Sequence, residues 1–181
     1  MVQKRSDARR NYAALLAAAE EVFAEYSPQA PLQLVAERAG VGRGTLYRHF
    51  PDRAALVTAI YTARIERHEK FAAEHADDPD LLFKVLANVA RDQMSIPGLF
   101  RIIDAESAAD DVAELWTRTV DAFRVPLETS MAAGRARPDL DLRDLFLAIS
   151  MLYGVANSPN TFDHDEAVAE RALLILRQGL S

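Results

Sequence analysis

Apolar residues recur at steps of three and four along most of this chain, the spacing that places them on one face of an α-helix. The first such segment covers about residues 7–26, and Ser27 and Pro28 end it. Its apolar face is formed by Tyr12, Leu15, Leu16, Ala19, Val22, Phe23 and Tyr26. No segment shows the sustained two-residue alternation of a strand, so the pattern predicts an all-α fold.

Glycines, prolines and aspartates separate the helical segments and predict about nine helices. Asp52 is a good N-cap for the fourth helix. Pro126 lies where it would kink the seventh. The predicted bounds are about residues 7–26, 32–39, 43–49, 52 into the seventies, 81–94, 99–107, 110 through 123 to the kink at 126, 141–157 and 165–178.

The composition is that of a globular protein, because half of the 181 residues are hydrophobic and 27% are charged. This length fits one compact domain, or a small domain joined to a larger one. The absence of cysteine excludes a disulfide framework, a thiol nucleophile and cysteine-ligated metals. No run of 18 apolar residues occurs, and charges interrupt the first twenty residues, so we expect neither a membrane span nor a secretory signal. The expected compartment is the cytoplasm.

Charge is distributed unevenly along the chain. The net charge is −6, yet residues 1–53 carry eight bases and six acids, a net charge of +2. The remaining 128 residues carry 13 bases and 21 acids, a net charge of −8. This asymmetry indicates a basic head that meets a polyanion and an acidic body that does not.

Enzymatic chemistry finds little support in the sequence. The acidic clusters at residues 77–80 and 139–144 fall at predicted helix starts, where carboxylates cap the backbone and complement the helix dipole. His68 and His75 could share a helix face, but no carboxylate or cysteine pattern completes a metal site with them. No phosphate-binding glycine loop or nucleophile motif is present. We therefore expect no catalytic residue, no metal and no cofactor.

The most informative stretch, Leu32 to Phe50, reads LQLVAERAGVGRGTLYRHF and has the features of a helix-turn-helix. Gly40 follows the first short helix, where a positive φ is needed. The residues spaced to face inward are Val35, Ala39, Val41, Leu46 and Phe50. The second helix then presents donors and an aromatic ring suited to a DNA groove, from Arg43, Gly44, Thr45, Tyr47, Arg48 and His49. From spacing alone, an ordinary helix pair in a bundle remains the alternative.

The segment Pro31 to Val57 resembles the DNA-binding head of TetR-type transcriptional regulators, the tetracycline-repressor family. The resemblance is carried by the Val-Ala-x-x-Ala-Gly-Val run at 35–41 and the Gly-Thr-Leu-Tyr-x-His-Phe run at 44–50. Arg53 and the apolar pair after it extend the match. The resemblance implies a three-helix head at residues 1–53, and an effector-binding and dimerisation body at residues 54–181.

The resemblance also implies roles for individual residues of the head. Arg43 and Thr45 would read base edges, with the backbone at Gly44 close to the DNA. Tyr47, Arg48 and His49 would make phosphate or mixed contacts. The remaining contacts would be phosphate contacts, made by Gln33 near the start of the second helix and by Arg53, at the position of the family's phosphate-binding lysine. The basic residues before the motif, which could also follow the DNA backbone, are Lys4, Arg5, Arg9 and Arg10.

For the body, the resemblance implies that two subunits form a homodimer through their last two helices. The dimer would bind a near-palindromic operator, and a small apolar or amphipathic effector would release it from the DNA. The expected protein is a repressor. The apolar residues proposed for the dimer interface, with intramolecular core as the alternative, are Leu145, Phe146, Ile149, Leu152, Val168, Leu173, Leu176 and Leu180. The proposed effector contacts, each of which could equally be plain core, are Met94, Phe100, Trp116, Phe123, Met131, Tyr153 and Asn157.

Two functions of other classes remain as alternatives. A helical interaction protein could keep the helix-turn-helix shape without reading DNA, and it would tolerate loss of Arg43, Arg48 and Arg53. A small-molecule enzyme with an all-α body would turn over its ligand. The basic head and the donor-rich second helix of the motif favour the regulator over both.

Overall fold

A computed structural model describes residues 2–157 and 166–181 of the chain. The described residues form helices only, which confirms the all-α prediction, and they form ten of them. The helices are α1 (Val2–Glu25), α2 (Leu32–Arg38), α3 (Arg43–His49), α4 (Arg53–Glu74), α5 (Leu81–Ser95), α6 (Leu99–Glu106), α7 (Ala109–Asp121), α8 (Arg124–Ala132), α9 (Leu142–Ala156) and α10 (Glu166–Leu180). None of these helices is long and apolar enough to cross a lipid bilayer.

The additional helix arises where a kink was predicted. The seventh predicted helix ends at Asp121, and a new helix, α8, begins at Arg124. Pro126 is the third residue of α8 and therefore lies in its first turn. The N–H groups of a first turn have no partner within the helix, so a proline there costs no hydrogen bond and bends nothing. The kink predicted at Pro126 is wrong for this reason.

Asp52 and Asp141 cap the helices that they precede, whereas the Asp80 carboxylate makes no capping hydrogen bond at the start of α5 and instead pairs with Arg135 and Arg177. The Asp52 Oδ1 atom accepts a hydrogen bond of 2.8 Å from the backbone N–H of Ala55, in the first turn of α4. Asp141 accepts hydrogen bonds from the N–H groups of Arg143 and Asp144, and the Asp144 carboxylate accepts one from the N–H of Asp141. This reciprocal arrangement is a capping box. The acids of residues 139–144 thus include a pair that starts a helix.

The chain divides into two compact units. Among the described residues, the first unit contains α1, α2, α3, the beginning of α4 as far as Thr62, and α6. The second unit contains the rest of α4, α5, and everything from Asp110 onward. The boundary expected at residue 53 differs from this division in two respects, since the first unit extends further along α4 and also takes α6. The Phe100 ring of α6 meets the Tyr61 ring edge-on at 5.2 Å, a contact within the first unit.

The core of the second unit brings α5, α8, α9 and the end of α10 together. α5 contributes most of it, and Leu81, Leu82 and Val85 are fully buried. Phe123, just before α8, is 1% exposed. The other core residues are Ala72, Phe83, Leu86, Val89, Ala90, Leu127, Ala136, Leu140, Leu145, Ala148, Ile149, Leu152 and Leu180.

His68 and His75 contact different residues in the second unit. The His68 Nε2 atom lies 3.1 Å from the Asp92 Oδ2 atom. Burial raises the pKa of Asp92, but pairing with His68 and the nearby Arg64 outweighs burial and holds the pKa below its usual range. The His75 ring instead stacks on Phe71 at 4.2 Å. His68 of α4 therefore lies against a carboxylate of α5 that the sequence pattern did not indicate.

Gly40 has a φ of +67° in the turn between α2 and α3. A Cβ atom at this position would meet no atom within 4 Å, so the cost of a side chain comes from the left-handed backbone alone. We expect Gly40→Ala to lower the free energy of unfolding by about 1–2 kcal/mol. The measurement is urea unfolding followed by circular dichroism. Gly40→Asn is the matched variant and is expected to lower the free energy of unfolding by less, because asparagine tolerates this conformation. Equal losses in the two variants would mean that the positive φ is not the cause.

Candidate nucleic-acid interface

α2 and α3 form a helix pair whose inner face is closed. Val35 and Ala36 of α2 and Leu46 of α3 are at most 2% exposed. Phe50, which follows α3, is equally buried. The turn is tied by a hydrogen bond of 3.0 Å from the N–H of Val41 to the carbonyl of Ala36. The bounds of α3 match the predicted second helix of the motif, and its orientation is fixed by this small core.

The outer face of α3 carries unpaired positive charge. Arg43 and Arg48 are exposed, and neither forms a hydrogen bond or an ion pair with any described residue. Tyr47 is 52% exposed, and Thr45 is half-buried. α3 begins at Gly42, which acts as its N-cap without a side chain. A polyanion would therefore find guanidinium groups whose donors are free and a helix start with no side chain to block approach.

A cleft of about 370 Å³ lies beside this face. Its polar lining is cationic or neutral, and no acidic side chain contributes to it. Arg43, Tyr47 and Arg53 converge on it from α3 and the start of α4. The full lining is Pro31, Leu32, Gln33, Ala36, Arg43, Leu46, Tyr47 and Arg53. Two guanidinium groups and a phenol around one cleft are suited to an anion such as a phosphate group.

Arg53 is held in place by the loop between α1 and α2. Its Nη1 atom donates a hydrogen bond of 2.6 Å to the carbonyl of Pro28, and its guanidinium lies 5.7 Å from the centre of the Phe23 ring. Burial lowers the pKa of Arg53, while Glu106 and Tyr47 oppose this shift. An arginine stays charged despite such a shift. The anchoring leaves other donors of the guanidinium for a ligand in the cleft.

Other predicted contact residues have partners within the protein. The Gln33 Nε2 atom donates a hydrogen bond of 2.6 Å to the Glu37 carboxylate on the next turn. His49 packs near Tyr12, with ring centres 5.9 Å apart, and its Nε2 atom is buried with no hydrogen-bond partner among the described residues. The structure thus brings Arg43, Tyr47 and Arg53 together at one cleft, whereas the His49 ring packs against Tyr12.

Of the four basic residues of α1 that were predicted to follow the DNA backbone, two have described side chains. Arg9 is exposed, and Arg10 pairs with Asp7 at 3.0 Å. The side chains of Lys4 and Arg5 lie outside the described residues. A pairing that the sequence did not indicate joins α2 to α1, where Arg38 lies 2.7 Å from Glu25 and 3.2 Å from Glu21. The hydrogen bond to Glu25 raises the pKa of Arg38 and lowers that of Glu25.

The proposed effector contacts do not form one group. Phe100 belongs to the first unit, whereas Phe123 is part of the second unit's core. Trp116 meets Phe146 edge-on at 5.3 Å. Asn157 donates a hydrogen bond from its side chain to the carbonyl of Tyr153 at the end of α9. Met94 and Met131 are half-buried in the second unit, and none of these residues lines the cleft of about 630 Å³ in that unit.

The last two helices expose an apolar face, but not the one expected. Leu145, Ile149 and Leu152 are at most 1% exposed because they belong to the subunit's own core, and Leu180 is also buried there. Phe146 is 42% exposed. The residues that the sequence did not single out, and that complete the exposed face, are Leu147, Met151, Leu174 and Ile175. α9 is apolar nearly all round, so periodicity could not separate its inner side from its outer side.

Comparison with known proteins agrees with this geometry. Residues 15–60 match the family described as "Bacterial regulatory proteins, tetR family". The chain is similar to the HTH-type transcriptional regulatory protein RaaS of Mycobacterium tuberculosis (strain ATCC 25618 / H37Rv), with 28% identity over 144 residues that cover 77% of this chain. The matched stretch spans 66% of that relative, just under two thirds of its length.

Solved structures extend the likeness beyond the head. A TetR transcription regulatory protein from Mycobacterium vanbaalenii has a TM-score of 0.71 and 29% identity, over 97% of this chain and 98% of that one. A TetR transcriptional regulator from Streptomyces coelicolor has a TM-score of 0.70 and 29% identity, over 93% of this chain and 97% of that one. The chain is thus similar to TetR-family regulators over nearly its whole length. The segment that matches the family, residues 15–60, contains α2, α3 and the start of α4, the elements that form the cationic face and cleft.

Proposed function

We propose that this chain is a TetR-family transcriptional regulator that binds a specific duplex operator by placing α3 in the major groove. The observation that carries the proposal is the outer face of α3, where Arg43 and Arg48 have no counter-ion among the described residues while the inner face is buried. A rigid helix with free bidentate donors is the arrangement that reads guanine edges and phosphates.

The contacts divide by their positions. Arg43 and Thr45, at the start of α3, read base edges, and Gly44 allows the backbone to approach closely. Tyr47 and Arg48 contact phosphates or bases. Arg53 binds a phosphate group seated in the 370 Å³ cleft, with Gln33 at its rim. His49 supports this arrangement through its packing near Tyr12 rather than through a donor at the surface.

The protein acts as a homodimer on two half-sites. The exposed face of α9 and α10 gathers large apolar side chains, of which Leu147, Met151 and Ile175 are each more than half exposed. Burying them against the same face of a second subunit removes apolar surface from water, and a twofold axis makes one face complementary to itself. The operator is then palindromic, with half-sites about one helical turn apart.

Release by a small molecule completes the proposed function, which is repression. A ligand that binds one conformation of the body more tightly shifts the dimer toward that conformation. If this conformation does not fit the half-site spacing, operator affinity falls, and transcription resumes. The resemblance to TetR-type regulators supports this mechanism over activation.

Selection of bound sequences from random duplex DNA tests the proposed function. The wild-type protein is expected to enrich a palindrome, and Arg43→Ala and Arg48→Ala are expected to weaken the enrichment. A folded dimer that enriches no sequence at low salt would refute sequence-specific DNA binding and favour an interaction protein. Turnover of a ligand by the same preparation would favour an enzyme.

The dependence of operator affinity on salt distinguishes a phosphate contact at Arg53 from a purely structural role. We expect Arg53→Gln to weaken binding about evenly across sequences and to reduce the slope of log affinity against log salt by about 0.9 for each half-site. The control is Arg38→Gln, because Arg38 is already paired with Glu21 and Glu25. Affinity should be titrated by fluorescence anisotropy at several salt concentrations. An unchanged slope for Arg53→Gln would limit Arg53 to holding the Pro28 loop.

A further inference from the structure

A second cleft, of about 630 Å³, lies in the second unit between α4 and α7. Such a volume is within the range of small-molecule sites, roughly 300–1,000 Å³. Each helix contributes residues three and four positions apart, so one face of α4 opposes one face of α7. The lining is Glu69, Ala72, Ala73, Glu114, Thr117, Arg118, Asp121, Ala122 and Val125.

The positive charge of this cleft is already neutralised. Arg118 holds Glu69 with two hydrogen bonds, of 3.2 Å from Nε and 3.0 Å from Nη2. Its Nη2 atom also lies 3.7 Å from the Glu66 carboxylate. The hydrogen bond to Glu69 raises the pKa of Arg118. One guanidinium thus faces two carboxylates, and it has little attraction left for an anionic ligand.

Part of the negative charge in the same cleft is not neutralised. Glu114 forms no hydrogen bond or ion pair with any described residue. Asp121 pairs with Arg124 at 2.8 Å, but both side chains are more than half exposed, so water screens that pair. The lining carries three carboxylates and one guanidinium, a net charge of −2.

Apolar surface lies between these charges. Ala72, Ala73 and Ala122 have only methyl side chains, which leave the space between the two helix faces unfilled. Val125 is 50% exposed at the edge of the cleft. A ligand that fits must therefore offer apolar surface to the alanines and the valine, and positive charge to the carboxylates.

We propose that this cleft binds a small lipophilic cation, one for each subunit. The apolar floor supplies the contact area, and Glu114 and Asp121 supply attraction that a neutral or anionic molecule of the same shape does not receive. As a statement about the effector, this proposal rests on the proposed function. As a statement about binding, it stands on the cleft alone.

Calorimetric titration with tetraphenylphosphonium tests the proposal, and tetraphenylborate is the probe of the same shape and opposite charge. We expect one tetraphenylphosphonium site per chain, weakened by salt, and at least about tenfold weaker binding of tetraphenylborate because attraction becomes repulsion. Equal binding of the two probes would mean that the cleft binds apolar molecules whatever their charge, and it would overturn the proposal. Absence of tetraphenylphosphonium binding would overturn it as well.

Variants locate the bound cation. We expect Glu114→Gln to weaken tetraphenylphosphonium binding about fivefold, and Ala73→Trp to block it by filling the cleft. Glu128→Gln removes the same charge from an exposed position of α8 outside the cleft, and it is expected to leave binding unchanged. Equal losses in Glu114→Gln and Glu128→Gln would mean that only the net charge matters, and the proposed site would be wrong.

Operator binding measured on the same preparations separates the two proposals. If the wild-type protein binds its selected duplex but not tetraphenylphosphonium, the cleft proposal alone fails. If it binds tetraphenylphosphonium at the cleft but enriches no duplex, the DNA-binding function alone fails. An effector role further requires that tetraphenylphosphonium lower operator affinity in the wild-type protein and not in Ala73→Trp.

Discussion

Met151→Glu is expected to convert the dimer into monomers and to lower operator affinity at least about 100-fold. Met151 is 55% exposed on α9, beside Leu147 on the face proposed to meet a second subunit. A twofold axis would bury both new carboxylates in the apolar interface, at a cost of several kcal/mol for each. Separate subunits also lose the gain in affinity that comes from binding two half-sites together, about 10²–10⁴-fold.

The oligomeric state should be measured by analytical ultracentrifugation, and operator affinity by fluorescence anisotropy. Because Met151 is exposed in the subunit, its replacement should leave circular dichroism and the melting of the subunit nearly unchanged. Ala113→Glu is the matched control, since it adds a carboxylate at an exposed position of α7 outside this face. A Met151→Glu protein that remains dimeric would place the interface on another surface.

Arg43→Ala is expected to lower affinity for the selected operator by about 2–6 kcal/mol in the dimer. The estimate counts about 1–3 kcal/mol for one bidentate base contact in each half-site. Arg43 is exposed at the first position of α3, so its loss removes no packing from the head. Sequence preference at one position of each half-site should relax at the same time.

Arg43→Lys separates base reading from simple charge. Lysine keeps the positive charge but lacks the planar fork that binds two acceptors at once. We expect it to lose most of the affinity for the selected duplex and to keep nearly all of the affinity for a scrambled duplex, both measured by anisotropy at one salt concentration. If lysine restores both affinities, Arg43 is a phosphate contact, and the base readers lie elsewhere on α3.

The helices and turn of the head could largely be predicted from the sequence, because they depend on residues close together in the chain. Gly40, with its positive φ, ends α2 where the sequence placed it, and α3 runs from Arg43 to His49 as predicted. Asp52 and Asp141 cap the helices that follow them. A cap, a turn and a helical period each involve residues within a few positions of one another, so a single sequence contains the information.

Contacts between residues that are distant in the sequence could not be predicted in this way. α6 lies far along the chain from the head, yet it joins the first unit. Arg38 pairs with Glu21 and Glu25, which are 17 and 13 positions away in the sequence. Which side of α9 is core also depended on α5, because the helix itself offers apolar residues on both sides. Such choices depend on contacts between residues distant in sequence, and periodicity within one helix does not encode them.

The sequence by itself therefore determined that this protein is all-α, that its helix-turn-helix lies at residues 32–50, and that residues 1–53 carry a net positive charge. Only the tertiary structure decided that Arg53 is tied to the Pro28 carbonyl, and that Glu69 and Glu114 line one cleft. It also decided that Leu147 and Met151, not Leu145 and Ile149, face outward from α9. The physical reason is that helices form by local hydrogen bonding, whereas sites and surfaces form where separate helices pack.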